Sequence, residues 1–302
     1  MLLCCVKTIK DVFITFQTGL AGIYDSNEIE AVTLLIINEI TQLSKATIKA
    51  FPENEISSEQ ARQFQNILTQ LQTGKPIQYI LGYTEFYGLK FIVNPSVLIP
   101  RPETEELVEW AIDSWRLAVR SSRLAVGSVH ILDIGTGSGC IAISLKKNLP
   151  GTEVSAIDIS PEALETAKKN AKLNEVTINF IDADILNSPL TTHYSQHNTH
   201  YSLIISNPPY VTLQDKDQMH INVTNFEPHT ALFVPENDPL IFYRAIADFA
   251  VNNLVNNGLL FFEINESYGE ETMQLLIDKG FINIELRKDM SGRSRMIKAV
   301  KS

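Results

Sequence analysis

Cysteine is scarce: three residues in 302, two of them adjacent at Cys4 and Cys5. That leaves no disulfide framework and fits a reducing cytosol. No apolar run approaches the roughly 20 residues that a bilayer-crossing helix needs. The opening MLLCCVKTIKDVF has no cationic lead-in, and Lys7 and Lys10 interrupt its apolar stretch, so no signal peptide is expected. Positive charge is short as well, with 25 Lys and Arg against 35 Asp and Glu and a formal net charge of −10. Such a balance argues against a chain that holds duplex DNA by phosphate neutralisation alone, though a local basic patch is compatible with it. Internal repeats and long low-complexity tracts are missing too.

What is present is an ordinary globular composition, 44% hydrophobic and 20% charged, in a chain long enough for one large domain or two modest ones. Residues 1–75 read as helical. SNEIEAVTLLIINEI opens with a Ser/Asn cap and an acidic turn, then spaces apolar residues at about 3.6. SSEQARQFQNILTQLQTG has a similar cap and stops at Gly74. A small N-terminal helical bundle domain is the expectation. Residues 76–100 alternate aromatics and apolars around Gly82 and Gly88, which predicts a β-hairpin linker.

Residues 101–302 alternate strand-like and helix-like runs. VHILDI, EVSAID, TINFID, YSLIIS and GLLFFEI are the strands, with helices between most of them. That order predicts an α/β fold with a parallel, doubly wound sheet. FINIEL and RSRMIKAV add an antiparallel hairpin at one edge. Ligands of such sheets bind at the carboxyl ends of strands, near the point where strand order reverses.

Two stretches fall on that rim. ILDIGTGSGCIAISL puts Asp133 at a strand end and glycines at 135, 137 and 139 before a helix. Glycines let the backbone turn tightly and approach a ligand. The dinucleotide fingerprint Gly-x-Gly-x-x-Gly/Ala fails, because Cys140 holds its last place. Asp158 ends the next strand, 19 residues after Gly139, where a carboxylate can accept from two ribose hydroxyls. Turn and acid together favour S-adenosyl-L-methionine. The second stretch, Asn207-Pro208-Pro209-Tyr210, ends a strand on a stiff, extended mount. A planar NH₂ on a π system is a poor nucleophile. The Asn207 side-chain oxygen and the Pro208 carbonyl could take its hydrogens, and Tyr210 could stack on it.

These motifs, with GKPIQYILGYTEFYG, LIPRPETEELVE, FEPHTALF and DMSGRSRMI, resemble the PrmC/HemK family of peptide chain release factor N5-glutamine methyltransferases over essentially the whole chain. The resemblance implies a Rossmann-like S-adenosylmethionine-dependent sheet behind a substrate-docking helical domain. It implies methyl transfer to the glutamine of a Gly-Gly-Gln tripeptide, leaving S-adenosyl-L-homocysteine. Asp133, Gly135, Thr136, Gly137, Ser138, Gly139, Asp158, Asp184 and Asn207 would bind cofactor. Asn207, Pro208, Pro209 and Tyr210 would hold the glutamine, with Arg101 and Glu103 closing the site; Asn207, Pro208 and Tyr210 would be catalytic. No metal, nucleic-acid or membrane partner is expected, and the acting unit is taken as a monomer.

Some positions depart from the family pattern. Phe226-Glu227-Pro228 stands where many members have Tyr-Glu-Pro, and Asn265 follows Glu263-Ile264 where Gly is common. Asn tolerates left-handed backbone, so that turn is expected to survive. Ile185 replaces an aromatic beside the adenine in some relatives. His193, His197 and His200 read as a solvated loop, and Cys140 as a small packing residue. Adenine-N6 methylation of nucleic acid is the competing activity, since Asn-Pro-Pro-Tyr suits it equally. It would need a basic groove, whereas the first 95 residues carry seven Lys/Arg and nine Asp/Glu. A cofactor-binding subunit without activity would be expected to lose the glycine turn or the acceptors, and both are intact.

Overall fold

The computed structural model describes residues 6–120, 129–187, 200–216, 219 and 221–302. Five helices come first: α1 (Ile9–Leu20), α2 (Ser26–Thr41), α3 (Lys45–Ala50), α4 (Ser58–Leu71) and α5 (Ile77–Leu81). Thr8 and Ser57 close capping boxes with Asp11 and Gln60. Caps of this kind stabilise a helix by about 1 kcal/mol each. The cap of α2 is Asp25, whose carboxylate accepts from the Asn27 and Glu28 N–H groups, one residue ahead of the expected Ser/Asn pair. Phe16, Ile36, Ile37, Phe64 and Leu68 fill the core between these helices.

Two strands and a long helix follow: β1 (Tyr83–Phe86), β2 (Leu89–Ile92) and α6 (Pro102–Arg120). The expected 76–100 linker is therefore divided, with α5 at its start and a shorter antiparallel hairpin behind it. That hairpin is fastened to the α/β fold. Asn170 exchanges hydrogen bonds with both backbone groups of Ile92, and Asn174 Nδ2 donates to the Lys90 carbonyl. Phe86 and Phe91 bury their rings edge to face.

The remaining elements are β3 (Val129–Ile134), α7 (Cys140–Asn148), β4 (Thr152–Asp158), α8 (Pro161–Leu173), β5 (Asn179–Asp182) and β6 (Tyr201–Ser206). Short helices α9 (Leu213–Lys216), α10 (Ile221–Phe226) and α11 (His229–Leu232) lead to α12 (Ile241–Asn253), β7 (Leu254–Glu263), α13 (Gly269–Asp278), β8 (Phe281–Lys288) and β9 (Ser294–Lys301). The chain forms two compact units, Met1–Leu81 with Ile221–Phe226, and Gly82–His220 with Glu227–Ser302. Within the first, the Asn222 amide donates to the Tyr24 hydroxyl at 3.3 Å.

The second unit is a Rossmann-like sheet in the order β5-β4-β3-β6-β7-β9-β8. The first five strands are parallel, and β9 and β8 close one edge antiparallel. The central strands are apolar on both faces because both are covered. Ile131, Leu203, Ile205 and Phe261 point into a core with α6 and α7. Leu132, Ile134, Ile204 and Phe262 point into another with α12. Strand order reverses between β3 and β6. There Ile134 pairs with Ile157 on one side and Ser206 on the other, and Ser206 pairs with Phe262. The next residue along each strand is Asp158, Gly135, Asn207 and Glu263, one row at the carboxyl ends of four neighbours.

Among the described residues, no helix is long and apolar enough to cross a membrane.

Candidate active site

A cavity of about 360 Å³ opens over that row, within the range for small-molecule sites. Gly135, Thr136, Gly137, Ser138, Asp158 and Asp184 line it, together with Arg101, Asn207, Pro208 and Pro209. Four residues expected in the site do not line it: Asp133, Gly139, Glu103 and Tyr210. Their places have physical reasons.

Asp133 is fully buried beneath the glycine turn and accepts from the Thr136 hydroxyl at 2.6 Å and the Ala142 N–H at 3.2 Å. It shapes the turn from below. Burial pushes its carboxyl up to about 7. Its Oδ1 has no protein partner among the described residues. Gly139 is a packing position. A Cβ there would meet Ile143 Cδ1 at 3.0 Å and Ala167 Cβ at 3.1 Å, where α7 approaches α8. All three turn glycines have positive φ, but at Gly135 and Gly137 a Cβ would meet no atom within 4 Å. The turn is thus an open cradle at its front and close-packed at its back.

The acid of the row is held from two sides. Asp158 Oδ2 accepts from the Gly137 N–H at 2.7 Å and Oδ1 from the Ser160 N–H at 2.9 Å. Each oxygen keeps one lone pair for a further donor. Burial raises its pKa despite these bonds. Beside it Ile159 is 57% exposed and lines the cavity with Ile185 and Leu186, so an apolar wall stands where Ile185 replaces the aromatic of some relatives. Asp184 uses both oxygens on its own turn, from the Leu186 N–H and the Asn187 amide.

Asn207 is oriented by a network that local sequence did not announce. Its Nδ2 donates to Thr104 Oγ1 at 3.1 Å, and Thr104 Oγ1 donates to Glu263 Oε2 at 2.6 Å. Tyr210 gives its hydroxyl to the other oxygen, Glu263 Oε1, at 3.1 Å. Glu263 is 1% exposed, and burial raises its pKa while the Thr104 and Tyr210 bonds oppose the rise. Burial, with Glu263 alongside, also raises the Tyr210 phenol, which stays protonated. Glu103, in the first turn of α6, adds a like charge that pushes Glu263 upward.

Asn265 has ordinary extended backbone, φ −66°, so no left-handed turn is needed there. Its side chain caps the next turn at Ser267 and donates to the Tyr210 carbonyl at 3.0 Å. A glycine could do neither. Arg101 pairs with Glu227, the buried acid of Phe226-Glu227-Pro228, which also accepts from the Ile99 N–H. Asn170, missed in the sequence, is fully buried and ties the Ser138 carbonyl to β2.

Cys140 is buried with its thiol pushed up to about 12 by that burial, which leaves it inert at neutral pH. His193 and His197 lie outside the described residues, as do Cys4 and Cys5, and His200 is exposed. No group of three or more metal-ligating side chains occurs among the described residues.

Two known families match this chain: PrmC N-terminal domain over residues 18–82, and methyltransferase small domain over residues 119–226. The release factor glutamine methyltransferase of Flavobacterium psychrophilum is 49% identical over 96% of this chain and 98% of its own. That of Bacteroides thetaiotaomicron is 41% identical over 94% and 96%. The Streptococcus pneumoniae protein of the same name is 38% identical over 81% and 82%.

Proposed function

We infer the function from one premise: this chain belongs to the release factor glutamine methyltransferase family. It is an S-adenosylmethionine-dependent methyltransferase acting on a release factor glutamine. More finely, the acceptor is the side-chain N5 of the glutamine in a Gly-Gly-Gln segment, and the helical unit docks the protein that carries it. The reaction runs in the cytosol, in keeping with a chain that has no disulfide framework, and a single chain is the acting unit. The observation that carries the reading is that Asn207 borders the same cavity as the open glycine cradle.

The residues present fit the cofactor. Gly135 and Gly137 leave room where side chains would stand, and Asp158 retains a lone pair on each oxygen for vicinal hydroxyls. Ile159 and Ile185 supply apolar surface for a purine. S-adenosylmethionine supplies its methyl on a sulfonium, so the C–S pair returns to sulfur as S-adenosylhomocysteine departs.

With so good a leaving group, the protein's contribution is orientation and electrostatics. The Asn207 amide has its NH₂ committed to Thr104, so its oxygen is the group that meets the acceptor. That oxygen and the Pro208 carbonyl take the two hydrogens of the glutamine amide and hold its nitrogen in line with the methyl. The nitrogen pair, drawn out of the amide π system, becomes the N–C bond; the two acceptor oxygens stabilise the positive charge that develops on nitrogen, and a proton is then lost to solvent. Tyr210, outside the cavity lining, braces the end of the Asn-Pro-Pro-Tyr turn, with Glu263 anchoring its hydroxyl.

A transfer assay tests this. Isotopically labelled cofactor is offered with release factor, with its Gly-Gly-Gln glutamine-to-alanine variant, and with duplex DNA. One methyl on that glutamine, absent from the variant and from DNA, is the expected result. Label on DNA adenine with none on the release factor would overturn the reading.

A further inference from the structure

Thr104 has one hydrogen and two lone pairs to share between Glu263 and Asn207. Glu263 accepts at both oxygens, from the Tyr210 hydroxyl at Oε1 and from the Thr104 hydroxyl at Oε2, so the Thr104 hydrogen is spent on Glu263. What faces Asn207 is then a lone pair, and only the NH₂ end of the Asn207 amide can answer it. If the amide turned over, its oxygen would face the Thr104 oxygen with no hydrogen between them. The direction of the chain Asn207, Thr104, Glu263 therefore settles which end of the amide is left for the acceptor. Thr104 and Glu263 are 1% exposed each, so water cannot easily replace either partner. Thr104 is placed by the first turn of α6, where its N–H donates to the Arg101 carbonyl.

We propose that Thr104, held by Glu263, is a positioning residue for methyl transfer, keeping the Asn207 side-chain oxygen turned toward the acceptor amide. This rests on the assignment of Asn207 as acceptor-binding in the preceding subsection. Thr104 forms no bond to the reacting atoms and acts through Asn207. Removing its hydroxyl leaves the Asn207 amide free to present either end. The wrong end would set an NH₂ against the NH₂ of the glutamine.

Two pairs of variants isolate the hydroxyl: Thr104 against Thr104→Val, equal in size, and Thr104→Ser against Thr104→Ala. The smaller pair keeps the comparison open if the valine protein fails to fold. The maximal methyl-transfer rate, cofactor Kd and denaturation midpoint are measured for all four. The wild-type and serine proteins should turn over at similar rates. Valine and alanine should be slower by on the order of 10- to 100-fold, as expected for lost alignment. Cofactor Kd should stay nearly constant across the set.

A purely structural role would instead lower the midpoint and leave the rate per folded molecule unchanged, which overturns the proposal. Rates that follow side-chain size rather than the hydroxyl overturn it too. If the wild-type protein transfers no methyl to release factor, it is the functional reading that fails, and the two failures are told apart in the first lane.

Discussion

Asn207 and Glu263 stand one residue beyond the paired Ser206 and Phe262 on neighbouring parallel strands, and the Thr104 hydroxyl joins their side chains. The same row continues through Gly135 to Asp158. The carboxyl ends of four neighbouring strands thus carry Asp158, the glycine turn, Asn207 and the buried Glu263 that supports it. The reversal of strand order between β3 and β6 brings these together, because it leaves a crevice that neither crossover fills.

The two kinds of glycine in the turn should fail differently. Gly137→Ala places a methyl in the open cradle at φ +54°. It should cost about 1 kcal/mol in backbone strain and weaken cofactor binding by about tenfold or more. Gly139→Ala, at φ +82°, carries similar backbone strain and also drives its Cβ against Ile143 and Ala167, which should add about 1–3 kcal/mol of lost stability from overpacking. Calorimetric titration and urea unfolding of both variants check this. Equal cofactor affinities would contradict the division.

The share of stability set by the buried acid Asp133 should fall as pH rises through the acid range, opposite to the share of Asp238 and Asp289, whose pKa values are lowered. Asp133 titrates near 7 in the fold, and near 4 when unfolded. Between those values the folded state binds more protons, so unfolding becomes easier as pH climbs, and the full cost is present above about 7. Asp158 and Glu263 are raised as well and act in the same direction. Asp133→Asn should flatten its share of the slope. Urea midpoints of cofactor-free protein at about pH 4.5 and about pH 7.5 measure it. An unchanged slope would contradict the assignment.

Arg101 should matter to the fold as well as to the cavity. Its partner Glu227 has a side chain only 1% exposed, whereas Arg101 is 32% exposed. Arg101→Ala strands that acid with the Ile99 N–H as its remaining donor. A loss of about 1–3 kcal/mol is expected, between the values for exposed and buried pairs. Glu227→Gln in the same background should recover part of it. Strict additivity of the two changes would show that no coupling exists.

Much of this was legible locally. Strand–helix alternation, the cap that opens SSEQARQ, the glycine turn and Asn-Pro-Pro-Tyr are all patterns within a few residues. The support for the site was not. Thr104 and Glu263 are 159 positions apart, and Asn170 reaches 78 residues back to β2. No periodicity carries such contacts. Asp133 and Gly139 fit their motif yet serve beneath and behind the turn, because a motif gives spacing and not the side a residue faces. Asn265 was judged for backbone tolerance, whereas its amide is what the fold uses. The return of Ile221–Phe226 to the helical unit follows from packing alone.

The central claim is that the Asn207 amide holds the acceptor for transfer. The single-turnover rate of methylation of release factor, at saturating cofactor, tests it most directly in wild type and Asn207→Ala. The rate should fall on the order of 100- to 1,000-fold, as when a positioned polar group is removed from a transition state, with far less change in cofactor Kd. A variant that still methylates at close to the wild-type rate would contradict the account.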